Sequence, residues 1–105
     1  MNVRREQQHL RNAYDVANIV ASTRIAGRVT ELIAELGVSE DGASSTAVAV
    51  IDRALPHQHH VTREDYMVIK GSLAVHVDDQ IHELHEGEVL TIHPGQTHYA
   101  VGQAT

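Results

Sequence analysis

The chain has 105 residues, a formal net charge of −6 and no cysteine. That length makes one domain at most. The acidic balance argues against nucleic-acid binding, and without thiols there are neither disulfides nor thiolate metal sites. No apolar run reaches membrane length, and the opening Met1-Asn-Val-Arg-Arg-Glu-Gln-Gln lacks the apolar stretch of a secretory signal. The expected compartment is therefore the cytoplasm.

Up to Gly42 the hydropathy pattern reads as helical. Between Arg4 and Val20, Leu10, Tyr14, Ala17 and Val20 form one stripe, although Asn12, Asn18 and the β-branched pair Ile19-Val20 work against it. Ile25, Val29, Leu32, Ile33 and Leu36 fall at i, i+4, i+7, i+8 and i+11, the signature of an amphipathic helix. Ser22 or Thr23 would cap its start and Gly37 would stop it. Ser39–Ser45, rich in Ser, Gly and acid, reads as a loop.

From Thr46 the period changes to two. Thr46–Ala54 reads as a strand of Val, Ile and Ala, and Asp65–Lys70 as another, closed by a turn at Gly71. Leu73, Val75 and Val77 alternate with polar or small residues, Asp78-Asp79 makes a tight turn, and Gln80–Leu84 returns as the hairpin partner. A turn at Glu86-Gly87-Glu88 leads into Val89–Ile92, and Pro94-Gly95 turns again before His98–Val101. Gly71, Gly87 and Gly95 stand where tight turns call for positive φ. The chain thus divides into an N-terminal helical segment, 1–42, and a β region, 43–105. The apolar inventory is aliphatic, with no Phe, no Trp and only Tyr14, Tyr66 and Tyr99, and so thin a core favours an oligomer.

Eight of the nine histidines lie between His57 and His98. His57 and His59 are two residues apart, so on an extended strand both imidazoles take one face, while His60 takes the other. Glu64 and His98 can complete a four-ligand set if the strands curl round to meet. Three imidazole nitrogens and one carboxylate suit a borderline divalent ion such as Fe, Mn, Ni, Co or Zn. Glu64 has the wrong parity for a regular strand and joins the set only if Val61-Thr62-Arg63 forms a turn or bulge. Binding needs neutral imidazoles, so affinity should fall steeply below about pH 6.

The order His57-x-His59-x4-Glu64-x6-Gly71, then Gly87 and a Pro-Gly turn before His98, resembles the two motifs of the cupin superfamily. The resemblance runs from about Pro56 to Val101. It departs from the family pattern at His93, where many cupins carry proline. It implies a mostly β fold, an antiparallel barrel or jelly roll, with the turn that Glu64 needs and with His57, His59, Glu64 and His98 holding one divalent ion. A single barrel of this kind usually needs another strand or two after His98. Either the N-terminal half supplies strands, or a partner chain closes the sheet, or the barrel is minimal. A homodimer is expected, with residues 1–42 as a dimer arm or a lid.

The resemblance also implies a function: a metal-dependent dioxygenase, or an isomerase or lyase using the ion as a Lewis acid, acting on a small polar metabolite. The alternative is a non-catalytic cupin that senses or stores a small molecule or metal. Tyr66, which shares the parity of Glu64, is the candidate to hydrogen-bond a bound substrate. His93 and Arg53 are secondary candidates on the substrate side.

Overall fold

A computed structural model describes residues 1–16 and 18–103. The elements are α1 (Val3–Ala13), β1 (Ile19–Ile25), β2 (Arg28–Val38), β3 (Ser45–Ile51), β4 (His57–Gln58), β5 (Glu64–Met67), β6 (Ser72–Val77), β7 (Gln80–His85), β8 (Val89–Ile92) and β9 (Thr97–Gln103). They form two compact units, Met1–Ile51 and Asp52–Thr105.

In the first unit, α1 is capped by Asn2, whose side-chain oxygen accepts from the Arg5 N–H at 3.1 Å. The helix ends at Ala13, because Tyr14 is already extended (φ −135°, ψ 144°). The expected stripe from Arg4 to Val20 is therefore cut short. Ala17 lies outside the described residues, and Val20 belongs to a strand.

The larger correction concerns Ile25–Leu36, which forms β-structure instead of a helix. Ala26 and Gly27 both take positive φ (52° and 76°) between the paired residues Ile25 and Arg28. Two such residues make the two-residue turn whose twist suits an antiparallel hairpin. β1 and β2 carry Ile19, Val20, Thr23, Ile25, Val29, Thr30 and Ile33, branched residues that fit a pleated surface and crowd a helix. The residues expected to cap the helix form a bulge instead. The Ser22 and Thr23 hydroxyls both donate to Glu31 Oε1, at 2.7 and 2.9 Å, where the β1–β2 register shifts. Gly37 stops nothing; it lies within β2 at a second register shift, against β3.

The sheet order is β1-β2-β3, all antiparallel. Leu32 and Ala34, alternate residues of β2, are completely buried and with Leu10 of α1 form the core of this unit. Full burial of a side chain like Leu32 is worth roughly 1.5–3 kcal/mol. The loop after β2 is fastened by Asp41, which accepts from the Ser39 hydroxyl and the Ala43 N–H, and these bonds hold its carboxyl below the ordinary aspartate range.

The run expected as one strand, Thr46–Ala54, is divided between partners. β3 pairs with β2, whereas Asp52–Ala54 bonds to β9 through Gly102 N–H to Asp52 O, an Arg53–Val101 bridge and Ala54 N–H to Ala100 O. This change of partner divides the two units.

The second unit contains a four-stranded sheet, β4-β9-β6-β7, and a two-stranded sheet, β5-β8, all antiparallel. The expected hairpin turn at Asp78-Asp79 is present, with Val77 opposite Gln80 and Asp78 at φ 51°. Gly71, Gly87 and Gly95 have φ of 82°, 84° and 88°, as the turns required. Val75, Ala100 and Ile92 are the most deeply buried apolar residues of this unit.

Candidate metal centre

Two short pairings bring the candidate ligands together. β4 is only two residues long, and its His57 lies directly opposite His98 of β9. Cross-strand partners share a face, so the two rings meet, with centroids 4.2 Å apart. His59 follows two residues after His57, and its ring lies 5.2 Å from that of His57 and 5.3 Å from that of His98. The chain bends at His60 and Val61. That bend removes the parity conflict, and Glu64, at the start of β5, reaches the same point.

The carboxylate lies between two imidazoles. Glu64 Oε2 is 3.5 Å from His59 Nε2, and Glu64 Oε1 is 3.5 Å from His98 Nε2. One donor atom from each of His57, His59, Glu64 and His98 lies within 4.8 Å of the others. Four donors held at about 2.1 Å in a tetrahedral site would stand about 3.4 Å apart, close to both measured imidazole–carboxylate separations.

The ring orientations come from backbone carbonyls. His57 Nδ1 is 2.8 Å from Leu55 O, and His98 Nδ1 is 3.0 Å from Gln96 O. A ring that donates from Nδ1 keeps a lone pair on Nε2, the form that binds a metal. His98 is completely buried. Its Nε2, together with His59 Nε2 and Glu64 Oε1, is buried without a hydrogen-bond partner. A buried polar atom without a partner costs about 1–3 kcal/mol, and here three surround one point. A cation at that point would satisfy all of them, so the donor set fits a divalent ion in both number and chemistry.

The other candidates fall into three places. Tyr66 has the parity of Glu64, and its ring centroid is 6.3 Å from that of His98. His93 lines a cavity of about 500 Å3 together with Val77, Asp78, Gln80, His82 and Leu90. Two of its lining residues are cross-strand partners of site residues, Val77 of His98 and Leu90 of Tyr66. Arg53 lies elsewhere. Its guanidinium sits 5.6 Å over the ring of Tyr99, which is stacked on His76 with centroids 4.3 Å apart. Tyr99 alternates with His98 along β9 and so takes the opposite face, which separates Arg53 from the cluster. His60 is exposed, as its parity implied.

Sequence reasoning missed the carbonyls of Leu55 and Gln96, which no residue type announces. It also missed His82, whose register opposite Val75 puts it on the face of the sheet that carries His98.

Comparison with known proteins agrees with this architecture. No curated protein matches the chain significantly. Among solved structures, the fold is similar to a protein of unknown function (DUF1255) from Acidithiobacillus ferrooxidans NCIB8455, with a TM-score of 0.55 and 19% identity over 84% of this chain and 83% of the other. It is also similar to a cupin-2 domain containing protein from Shewanella frigidimarina NCIMB 400, with a TM-score of 0.52 and 16% identity over 99% of this chain and 84% of the other. The family model of the Cupin domain (Cupin_2) matches residues 47–104, a span that takes in all four clustered side chains. With that match over more than half of its residues, and with mostly antiparallel β-structure around a His/Glu cluster, the chain belongs to the cupin family.

Proposed function

We propose that this cupin is a metal-dependent enzyme acting on a small polar metabolite. The observation that carries this reading is the set of three buried, unpartnered atoms, His59 Nε2, Glu64 Oε1 and His98 Nε2, arranged around one point with His57 beside them. When bound, a divalent ion (Fe, Mn, Ni, Co or Zn) would supply either redox chemistry with oxygen, as in a dioxygenase, or Lewis-acid polarisation of a carbonyl, as in an isomerase or lyase.

The chain's own residues do the rest. His57 and His98, oriented by Leu55 O and Gln96 O, would hold a divalent ion through Nε2. Glu64 lowers the net charge of the centre. With four protein donors, a divalent ion that takes more than four ligands would still have room for substrate, which distinguishes a reactive site from a closed structural one. The cavity lined by His93 is the place for substrate: Leu90 and Val77 give an apolar lining, and Gln80, His82 and His93 offer polar groups. Tyr66 is the residue we assign to hydrogen-bond the substrate next to the ion, since its phenol lies on the side of Glu64.

Two further properties belong to this reading. Cysteine-free composition suits a reducing compartment, the cytoplasm. Exposed Met67 and Val89, cross-strand partners on β5 and β8, form an apolar surface that a second copy of the chain would cover in a homodimer. Among the described residues, no helix is long and apolar enough to cross a membrane.

The test begins with the metal content of protein as purified, by inductively coupled plasma mass spectrometry. Near-stoichiometric divalent metal in the wild type and its loss in His98→Ala are expected. Fe(II)- or Mn(II)-loaded protein is then screened for oxygen uptake and for substrate loss against a metabolite panel. Saturable binding of a metabolite without turnover would replace the enzyme by a sensor. Equal metal content in wild type and His98→Ala would remove the centre itself.

A further inference from the structure

The ladder that holds the histidine strand is short. β4 pairs with β9 only at His57–His98 and Gln58–Thr97. His59 therefore lies beyond the last rung, although it carries one of the clustered donor atoms. A ligand outside a ladder is free to fray unless something else fixes its backbone.

The Pro94-Gly95 turn supplies that fixation. Both polar groups of Gly95 are engaged by the histidine segment. Its N–H donates to His59 O at 2.8 Å, and its carbonyl accepts a hydrogen bond from the Gln58 side-chain amide. The same turn governs His98. Gln96 N–H donates to His93 O at 3.2 Å, the Gln96 side chain accepts from His93 N–H at 2.9 Å, and the Gln96 carbonyl receives His98 Nδ1 at 3.0 Å. One turn therefore touches the backbone of His59 on one side and the ring of His98 on the other. Gln58 is exposed and, by strand alternation, points away from the imidazoles of its neighbours.

We propose that Gln58 is a positioning residue for the metal centre: its amide locks the Pro94-Gly95 turn onto β4 and so sets His59 and His98 at their mutual distance before an ion arrives. The assignment rests on the metal-centre reading above. The mechanism is preorganisation. Without the clamp, the same donors remain, but ordering them falls to the binding step, and affinity drops.

Two variants separate this role from a structural one. Gln58→Met keeps the length of the side chain and removes the donor. Gln58→Lys restores a donor at the end of a flexible stem. Zn(II) and Co(II) affinities are measured by chelator competition in 0.5 M NaCl, so that the added charge of Lys is screened. The absorption spectrum of the Co(II) form and the melting temperature of the metal-free protein are recorded alongside. Gln58→Met is expected to bind about tenfold more weakly, the scale of outer-shell effects on metal sites, with a changed Co(II) spectrum. Its metal-free melting temperature should move by no more than about 4 °C, because the side chain is exposed. Gln58→Lys should return affinity and spectrum toward wild type. Wild-type affinity and spectrum in Gln58→Met would overturn the assignment, as would equal weakening in both variants. A wild-type protein that binds neither Zn(II) nor Co(II) would overturn the metal centre itself, a result distinct from either.

Discussion

His98 concentrates the chemistry of this chain in one residue. It is completely buried, its Nδ1 is bonded to Gln96 O, and its Nε2 faces the Glu64 carboxylate at 3.5 Å without a hydrogen bond. Replacing it with leucine removes a buried polar atom that lacks a partner and also takes the donor from Gln96 O, two effects of similar size, about 1–3 kcal/mol each, and opposite sign. His98→Leu should therefore leave the metal-free protein as stable as wild type, within about 1 kcal/mol, in urea unfolding, while metal binding is lost. A histidine that served the core would give the opposite result, a clear loss of stability. Much of this site was legible at the level of single residues, because His57 and His59 at strand spacing declare a shared face. Glu64 was legible only through a motif, since its parity is wrong until the chain bends at His60 and Val61. The orienting carbonyls were not legible at all, because every residue has one.

At the scale of elements, the N-terminal hairpin shows how a stripe can mislead. Positions i, i+4, i+7 and i+11 fit one helix face, yet Leu32 and Ala34, two apart, are the buried pair. What decides is the pair Ala26-Gly27 at positive φ, followed by a bulge fixed by Glu31. Gly27 has open space where a Cβ would stand, so Gly27→Ala tests backbone conformation alone. It should destabilise the protein by about 1–2 kcal/mol in urea unfolding. A helix over the same residues would be stabilised by alanine. Glu31→Ala should cost about 1–3 kcal/mol, because it leaves the buried Thr23 hydroxyl without its carboxylate partner. The Asp41 loop carries a pH dependence of defined sign. Its carboxyl is held below the ordinary aspartate value, so the loop's bonds are present at neutral pH and above the unfolded-state value, and are lost as pH falls through the lowered folded value. An NMR titration following the Ala43 amide, which donates to that carboxylate, should show the change in acid.

For the whole molecule, ligand linkage and assembly are the observables. An ion that binds only the folded state stabilises it by about 2.7 kcal/mol at a hundredfold excess over Kd, a rise of roughly 10 °C in melting temperature for a chain of this size. Scanning calorimetry with added Zn(II) and with chelator should show that difference in wild type and none in His98→Ala. Size-exclusion chromatography with light scattering should give a dimer mass at micromolar concentration, and Met67→Glu should shift it toward monomer; a wild-type monomer would discard the apolar β5–β8 surface as an interface. From the sequence alone came the β-rich C-terminal half, its turns at Gly71, Asp78-Asp79, Gly87 and Gly95, and the shared face of His57 and His59, because alternation and turn chemistry are local properties; Glu64 and His98 joined them through the motif resemblance. The strand character of residues 28–38, the division of Thr46–Ala54 between two partners, the clamp at Gly95 and the seating of Arg53 on Tyr99 were decided only by tertiary structure. The physical reason is register: which face a residue shows relative to a distant segment depends on long-range hydrogen bonds, and no local period encodes them.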